Sequence, residues 1–203
     1  MSFLEQLKAR KLLLKSSVTN ITHADGSQER ILLSKPGETQ KMTTKTYGFI
    51  VDTKPDFVPA CILEDFLYLG PQDAVMRENV DKYQLTDILS VGIETSASNI
   101  DDENDPIVQT HFVECLDLPE TNLATTANRT SQIIKCVHDK KGRILVHCNA
   151  GVSRSSAVCI AYLMSDHKMN FETAFALVKS KRECIRPNDG FLKQLKQMDR
   201  NNS

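Results

Sequence analysis

Apolar positions follow two rhythms along this chain. Short, near-continuous runs such as Ile144-Leu145-Val146 read as buried strands, and longer stretches with apolar residues every three or four positions read as helices. Between residues 61 and 198 this predicts strands near Cys61–Leu69, Asp87–Val91, Thr110–Leu116 and Arg143–Cys148. Helices are predicted between and after them, near Asn79–Leu85, Thr125–Asp139, Ser155–Asp166, Phe171–Lys181 and Asn188–Met198. Strands that are apolar almost throughout and alternate with helices argue for an α/β domain, a central sheet flanked by helices on both faces.

Before residue 60 the rhythm fades. From Ser16 to Thr46 there are ten Ser or Thr residues and only scattered apolar ones, the profile of a loosely ordered segment, and Pro55 and Pro59 close it. The expected organisation is an N-terminal extension over 1–60, a domain over 61–198 and a tail over 199–203. Within the extension, Leu4, Leu7 and Leu14 can share a helical face, while Lys8, Arg10, Lys11 and Lys15 make Met1–Lys15 basic. That segment reads as a helix packed on its own domain, as a docking segment or as a frayed terminus. The run Arg10-Lys11-Leu12-Leu13-Leu14 fits a loose basic-then-leucine pattern resembling kinase docking peptides.

Composition adds exclusions. The net charge is −1, so nothing global points to nucleic acid or to an anionic membrane. Residues 1–60 carry nine basic and six acidic side chains against sixteen and twenty in 61–203, so the domain must attract an anion by a local field. Six cysteines stand far apart with no Cys-x-x-Cys, and the start shows no signal-peptide pattern, so reduced thiols and a cytoplasmic location, with the nucleus as a second one, are expected. The acidic run Asp101-Asp102-Glu103-Asn104-Asp105 lacks the glycine and terminal glutamate of a calcium loop and reads as a solvated loop. No metal or other cofactor is expected, and the residues carry no signal for oligomeric state.

The chemistry concentrates in His147-Cys148-Asn149-Ala150-Gly151-Val152-Ser153-Arg154-Ser155, placed between a predicted strand and a predicted helix. Five residues between cysteine and arginine can wrap into a nest whose backbone N–H groups converge on one point, with a helix N-terminus behind them. A phosphate monoester there would offer its oxygens to the amides of Asn149, Ala150, Gly151, Val152 and Ser153 and to the forked guanidinium of Arg154. The same positive field favours the thiolate of Cys148, which makes it a candidate nucleophile. Ser155 can donate a hydrogen bond to the sulfur when it leaves. Gly151 permits backbone geometry that a Cβ would hinder.

A poor leaving group also needs a proton. Asp117 stands where the stretch His111–Leu116 gives way to a loop stopped by Pro119, with Glu114 and Glu120 as rivals. His147 stands beside the nucleophile without a second ligand at metal spacing, so it reads as a loop-holding residue. Asn188 follows Pro187 and opens the last helix, which by itself is an N-cap. Arg182 and Arg186, just before it, read as solvated helix-end cations or as rim residues that could grip a second phosphate on the same peptide.

These motifs resemble the signature of the cysteine-based protein phosphatases, in their dual-specificity branch, over about residues 61–198. Ile62–Gly70 resembles the branch's opening strand pair, Leu116-Asp117-Leu118-Pro119-Glu120-Thr121-Asn122 its general-acid loop, and Arg186-Pro187-Asn188-Asp189-Gly190-Phe191 its closing element. The wording is similar to that of a small atypical member linked to stress-activated kinase signalling. The resemblance implies a mixed, mostly parallel sheet and a phosphocysteine intermediate, with Asp117 as the general acid. It also implies that Asn188 ties the phosphate loop in place and that partners are phosphoproteins, including kinases of a stress-activated cascade. Relatives acting on inositides carry basic residues inside the loop, where 149–153 here are uncharged. A tyrosine-only enzyme would need an aromatic-walled pocket that is not visible, so phosphoserine and phosphothreonine are expected to fit too. The rival from another class is a phospho-dependent scaffold, which would typically lack the nucleophile or the arginine.

Overall fold

The computed structural model describes residues 17–22, 27–35, 38–45, 56–92 and 108–202. The basic leucine-bearing segment 1–15 and the acidic run 101–105 lie outside the described residues. Two compact units divide the chain between Val51 and Asp52. In the first, strands β1 (Ser17–Thr22), β2 (Ser27–Lys35) and β3 (Glu38–Lys45) pair antiparallel in that order. Thr19 lies opposite Ile31, and Ile31 opposite Lys41. The Ser/Thr content that suggested loose order includes many threonines, and a β-branched threonine suits a pleated strand. The units divide ahead of residue 60 because the entry segment is fastened to the second unit. Asn79 Nδ2 donates to Phe57 O at 2.7 Å, and Arg182 Nη1 to Asp56 Oδ2 at 2.6 Å.

The second unit carries the expected mixed sheet. Its strands are β4 (Ala60–Leu63), β5 (Leu67–Gly70), β6 (Asp87–Val91), β7 (Gln109–Val113) and β8 (Ile144–His147), in the order β4-β5-β8-β6-β7. β4 and β5 form an antiparallel hairpin that turns through Asp65 at φ 56°, and the other neighbours are parallel. Side-chain alternation splits the strands between two cores. Leu67, Leu69, Leu89, Val91, Ile144 and Val146 pack with four helices, α2 (Leu123–Asp139), α3 (Arg154–Asp166), α4 (Phe171–Lys181) and α5 (Asp189–Asn202). Tyr68, Ile88 and Leu145 point the other way, against Ala74 in a 3₁₀ turn (Gln72–Ala74), Val80 of α1 (Arg77–Tyr83) and Leu85.

Two of the helices open on an asparagine cap. Asn122 accepts from Thr125 N at 3.2 Å to open α2, and Asn170 from Thr173 N at 2.9 Å to open α4. In α3 every residue from Ser155 to Met164 is buried, so it is a core helix with no polar stripe, which is why its sequence shows little besides small and apolar residues. Central strand β8 runs directly into α3 through residues 148–153. The parallel strands β5, β6, β7 and β8 all end at one edge of the sheet, where open α/β sheets place their ligand crevice.

Candidate active site

The loop between β8 and α3 is held from behind, carbonyl by carbonyl. Asn149 O accepts from Gln72 N at 2.9 Å, Ala150 O from Arg182 Nη2 at 3.1 Å and Gly151 O from Arg182 Nε at 3.0 Å. Val152 O accepts from Arg186 N at 2.8 Å and Ser156 Oγ at 2.6 Å, and Ser153 O from Ala157 N at 2.9 Å. A trans peptide points its C=O and the following N–H in opposite directions. Fastening the carbonyls of 149–153 outward therefore turns the amides of 150–154 to the inside of the loop. Among the described residues none of those five amides donates to a protein acceptor. The result is a nest of donors at a helix N-terminus, suited to a tetrahedral oxyanion. Gly151 sits at φ 65°, and a Cβ there would come within 2.6 Å of the Gly70 carbonyl group, so the loop's tight seat on the end of β5 requires glycine.

Cys148 lies at the floor of this nest, 2% exposed, and Ser155 Oγ donates to its sulfur at 3.1 Å. Burial pushes the thiols of Cys115 and Cys159 up, which disfavours their thiolates. Behind Cys148, His147 is fully buried and its Nε2 lies 2.6 Å from Ser90 Oγ on the paired strand β6. Burial is the main cause that lowers its pKa to about 4. A backbone hydrogen bond at Cys148 opposes that shift, and the Arg154 cation adds to it. The ring is therefore neutral at ordinary pH and braces β8 against β6.

Arg154 and Asp117 face each other across the mouth. Arg154 Nε is buried without a hydrogen-bond acceptor among the described residues and forms an ion pair with Asp117 Oδ2 at 3.6 Å. The other oxygen of Asp117 accepts from Ser153 Oγ at 2.7 Å and from Asn188 Nδ2 at 2.8 Å. Asn188 does three things at once. Its Oδ1 accepts from Phe191 N at 2.9 Å and caps α5, its N–H donates to Ser153 Oγ at 3.1 Å, and its amide nitrogen holds Asp117. Two glycines allow these pieces to close up. A Cβ on Gly92, which has φ 77°, would collide with Cys115 O and come within 2.6 Å of Arg154 Nη1, and one on Gly190 would collide with the backbone of Pro119.

The structure thus brings Cys148, Asn149–Arg154, Ser155, His147, Asp117 and Asn188 together. Of the three candidate carboxylates, it is that of Asp117 whose oxygens meet Ser153 and Arg154. Arg182 corrects the sequence reading. It is 7% exposed, with its guanidinium spent on two loop carbonyls and Asp56, so it is neither a solvated cation nor a rim residue free to grip a second phosphate. Arg186 is exposed, and its main chain holds Val152. Sequence reasoning missed Ser90, Gln72, Gly92 and Gly190, which act through pairings distant in the chain, and the second duty of Ser153 as a support for Asp117. Among the described residues no group of three or more His, Cys, Asp or Glu is placed to hold a metal, and no helix is long and apolar enough to cross a membrane.

A thiol at the floor of an amide nest, a guanidinium at its wall and a carboxylate above it define a cysteine-based phosphomonoester site on a mixed α/β sheet. The family model "Dual specificity phosphatase, catalytic domain" matches residues 67–201, and the chain belongs to that family. It is 35% identical over 150 residues to Dual specificity protein phosphatase 19 of Mus musculus, covering 73% of this chain and 66% of that one. It is also 35% identical over 139 residues to a rhodanese domain-containing dual specificity protein phosphatase of Dictyostelium discoideum, covering 68% of this chain but 28% of the relative. Against the crystal structure of human tyrosine phosphatase-like serine/threonine/tyrosine-interacting protein the TM-score is 0.61 at 32% identity, over 70% of this chain and 96% of that one.

Proposed function

We propose that this protein is a dual-specificity protein phosphatase that hydrolyses phosphotyrosine and phosphoserine or phosphothreonine through a phosphocysteine. The observation that carries the reading is the nest itself, whose carbonyls are all fastened outward around the sulfur of Cys148. In the first half-reaction the thiolate attacks phosphorus, the P–O ester bond breaks and Asp117 gives its proton to the departing oxygen. Oδ1 of Asp117 is already occupied by two donors, so the mobile proton belongs on Oδ2, the oxygen on the Arg154 side. In the second, Asp117 takes a proton from water, water oxygen bonds to phosphorus and the P–S bond breaks. Ser155, 3.1 Å from the sulfur, stabilises the thiolate that leaves. The amides of Ala150–Arg154, which start at the peptide whose carbonyl Asn149 supplies, and the Arg154 guanidinium hold the phosphoryl oxygens throughout.

Two features favour a protein substrate. The loop interior is uncharged, which suits one phosphate in the pocket, and Leu116 and Leu118, 60% and 44% exposed, flank Asp117 as apolar ground for residues beside the phosphorylated one. The finer reading is that its substrates are phosphoproteins of stress-activated kinase signalling, which the resemblance supports, met in the cytoplasm or also in the nucleus, which the widely spaced cysteines support.

Phosphate release from phosphotyrosyl and phosphothreonyl peptides tests the activity. Cys148→Ser is expected to abolish turnover while still binding phosphopeptide, and Arg154→Lys to fail badly because a point charge cannot make the paired contact. Turnover by Cys148→Ser above a mock preparation would remove the phosphocysteine route, and wild-type protein that binds phosphopeptide without releasing phosphate would favour a scaffold. Mass spectrometry of proteins retained by Cys148→Ser in cell extract tests the signalling assignment; absence of kinases from the trapped set would count against it.

A further inference from the structure

We propose that Arg182 is a positioning residue for catalysis. From behind the loop it aims the Gly151 and Val152 amides at the phosphoryl group. The proposal rests on the phosphatase reading above and adds to it a residue outside the Cys-x5-Arg signature. Arg182 follows directly on α4, 31 and 32 residues from its two partners in the loop. Its Nε donates to Gly151 O at 3.0 Å and its Nη2 to Ala150 O at 3.1 Å, so one planar fork spans two consecutive carbonyls. Each carbonyl belongs to a peptide whose N–H, on Gly151 or Val152, faces the nest. The other loop carbonyls are held by backbone N–H groups and, at Val152 and Ser153, by the single neutral hydroxyl of Ser156, whereas Arg182 is a cation that gives each of its two carbonyls its own N–H.

The third arm of the fork fixes the second partner. Arg182 Nη1 pairs with Asp56 Oδ2 at 2.6 Å, where Asp56 is 33% exposed in its side chain and the arginine side chain only 6%. Asp56 thus anchors the guanidinium from the entry segment of the unit, and the arginine stays flat against the loop. A lysine here could neutralise Asp56 but could not bridge two carbonyls with fixed planar geometry. Charge-assisted bonds to peptide carbonyls also polarise those peptides, which strengthens their N–H groups as donors to an anion.

The test uses the full chain with inorganic tungstate as the oxyanion probe. It compares wild type, Arg182→Ala, Arg182→Lys and Asp56→Asn. Competition by tungstate against an aryl phosphate is expected to weaken by about tenfold or more in Arg182→Ala. Arg182→Lys should stand closer to alanine than to wild type, and Asp56→Asn should lose only a few-fold. KM for the aryl phosphate should rise with the loss of tungstate affinity. The ratio of alkyl to aryl phosphate turnover should stay at the wild-type value, because Asp117 is untouched. In amide NMR spectra, tungstate should shift Gly151 and Val152 in wild type and much less in the variants. If Arg182→Ala does not fold, Arg182→Lys carries the comparison. Tungstate inhibition within twofold of wild type in a folded Arg182 variant, even one that melts earlier, would overturn the proposal and leave Arg182 a structural brace. Wild-type protein that neither binds tungstate nor releases phosphate would overturn the phosphatase reading, and this inference with it.

Discussion

Single residues in this site hold two positions at once, and that makes their substitutions separable. Asp117 has one oxygen held by Ser153 and Asn188 and the other turned toward Arg154, so Asp117→Asn should keep the hydrogen bonds while losing the proton. We expect kcat to fall by roughly 10²–10⁴-fold for an alkyl phosphate and far less for an aryl phosphate with an activated phenol. Equal losses for both substrates would remove Asp117 from the acid role. His147 supplies a different readout. Its folded pKa, about 4, lies below the ordinary value of 6.5, so the unfolded chain binds a proton that the folded one refuses in between. The stabilising preference for neutral His147 is complete above pH 6.5 and is lost as pH falls toward 4, by an amount on the order of 3 kcal/mol. Urea unfolding of wild type and His147→Gln at neutral and mildly acidic pH should show a steeper loss in wild type; parallel losses would argue that His147 does not titrate in this window.

At the scale of elements, the site is a junction of chain segments that touch only because glycine leaves room. Gly190, in the first turn of α5, lets the acid loop lie with the backbone of Pro119 against it, and Gly92, after β6, lets Cys115 O and Arg154 approach. The two should fail differently. Gly190→Ala displaces the acid loop, so alkyl phosphate turnover should drop more than aryl phosphate turnover. Gly92→Ala adds a strained positive φ and pushes on Arg154 itself, so both substrates should suffer alike, with about 1–3 kcal/mol of stability lost. Kinetics of the two variants on the two substrates check this, and the same pattern in both would refute the division of labour.

Across the whole molecule, every described residue of the site, from Asp56 to Phe191, belongs to the unit Asp52–Ser203, and the family match at 67–201 lies inside it. A chain beginning at Asp52 is therefore expected to hydrolyse a small aryl phosphate within about threefold of the full-length value. One beginning at residue 60 would lose Asp56 and the Phe57 carbonyl that Asn79 grips, and should show a higher KM and a lower melting temperature. Equal behaviour of the two truncations would show that the entry segment plays no part.

What the order of residues conveys is whatever local chemistry encodes. The Cys-x5-Arg loop between an apolar strand and a small-residue helix, the breaks between elements, and Phe171–Lys181 as a helix are all consequences of side-chain period and turn chemistry within a few residues. The mixed direction of the sheet and the general-acid choice of Asp117 over Glu114 and Glu120 came from family resemblance, because periodicity is blind to both. The tertiary structure alone decided the rest. Arg182 looks in sequence like any helix-end cation, and only the return of α4 beneath the loop buries it on Ala150 and Gly151. Ser90 meets His147 through a parallel pairing 57 residues apart, and Gly190 matters because α5 begins against Pro119. Period and propensity act over a turn or a strand, whereas such contacts depend on how whole elements pack, a relation that no local stretch of the chain contains.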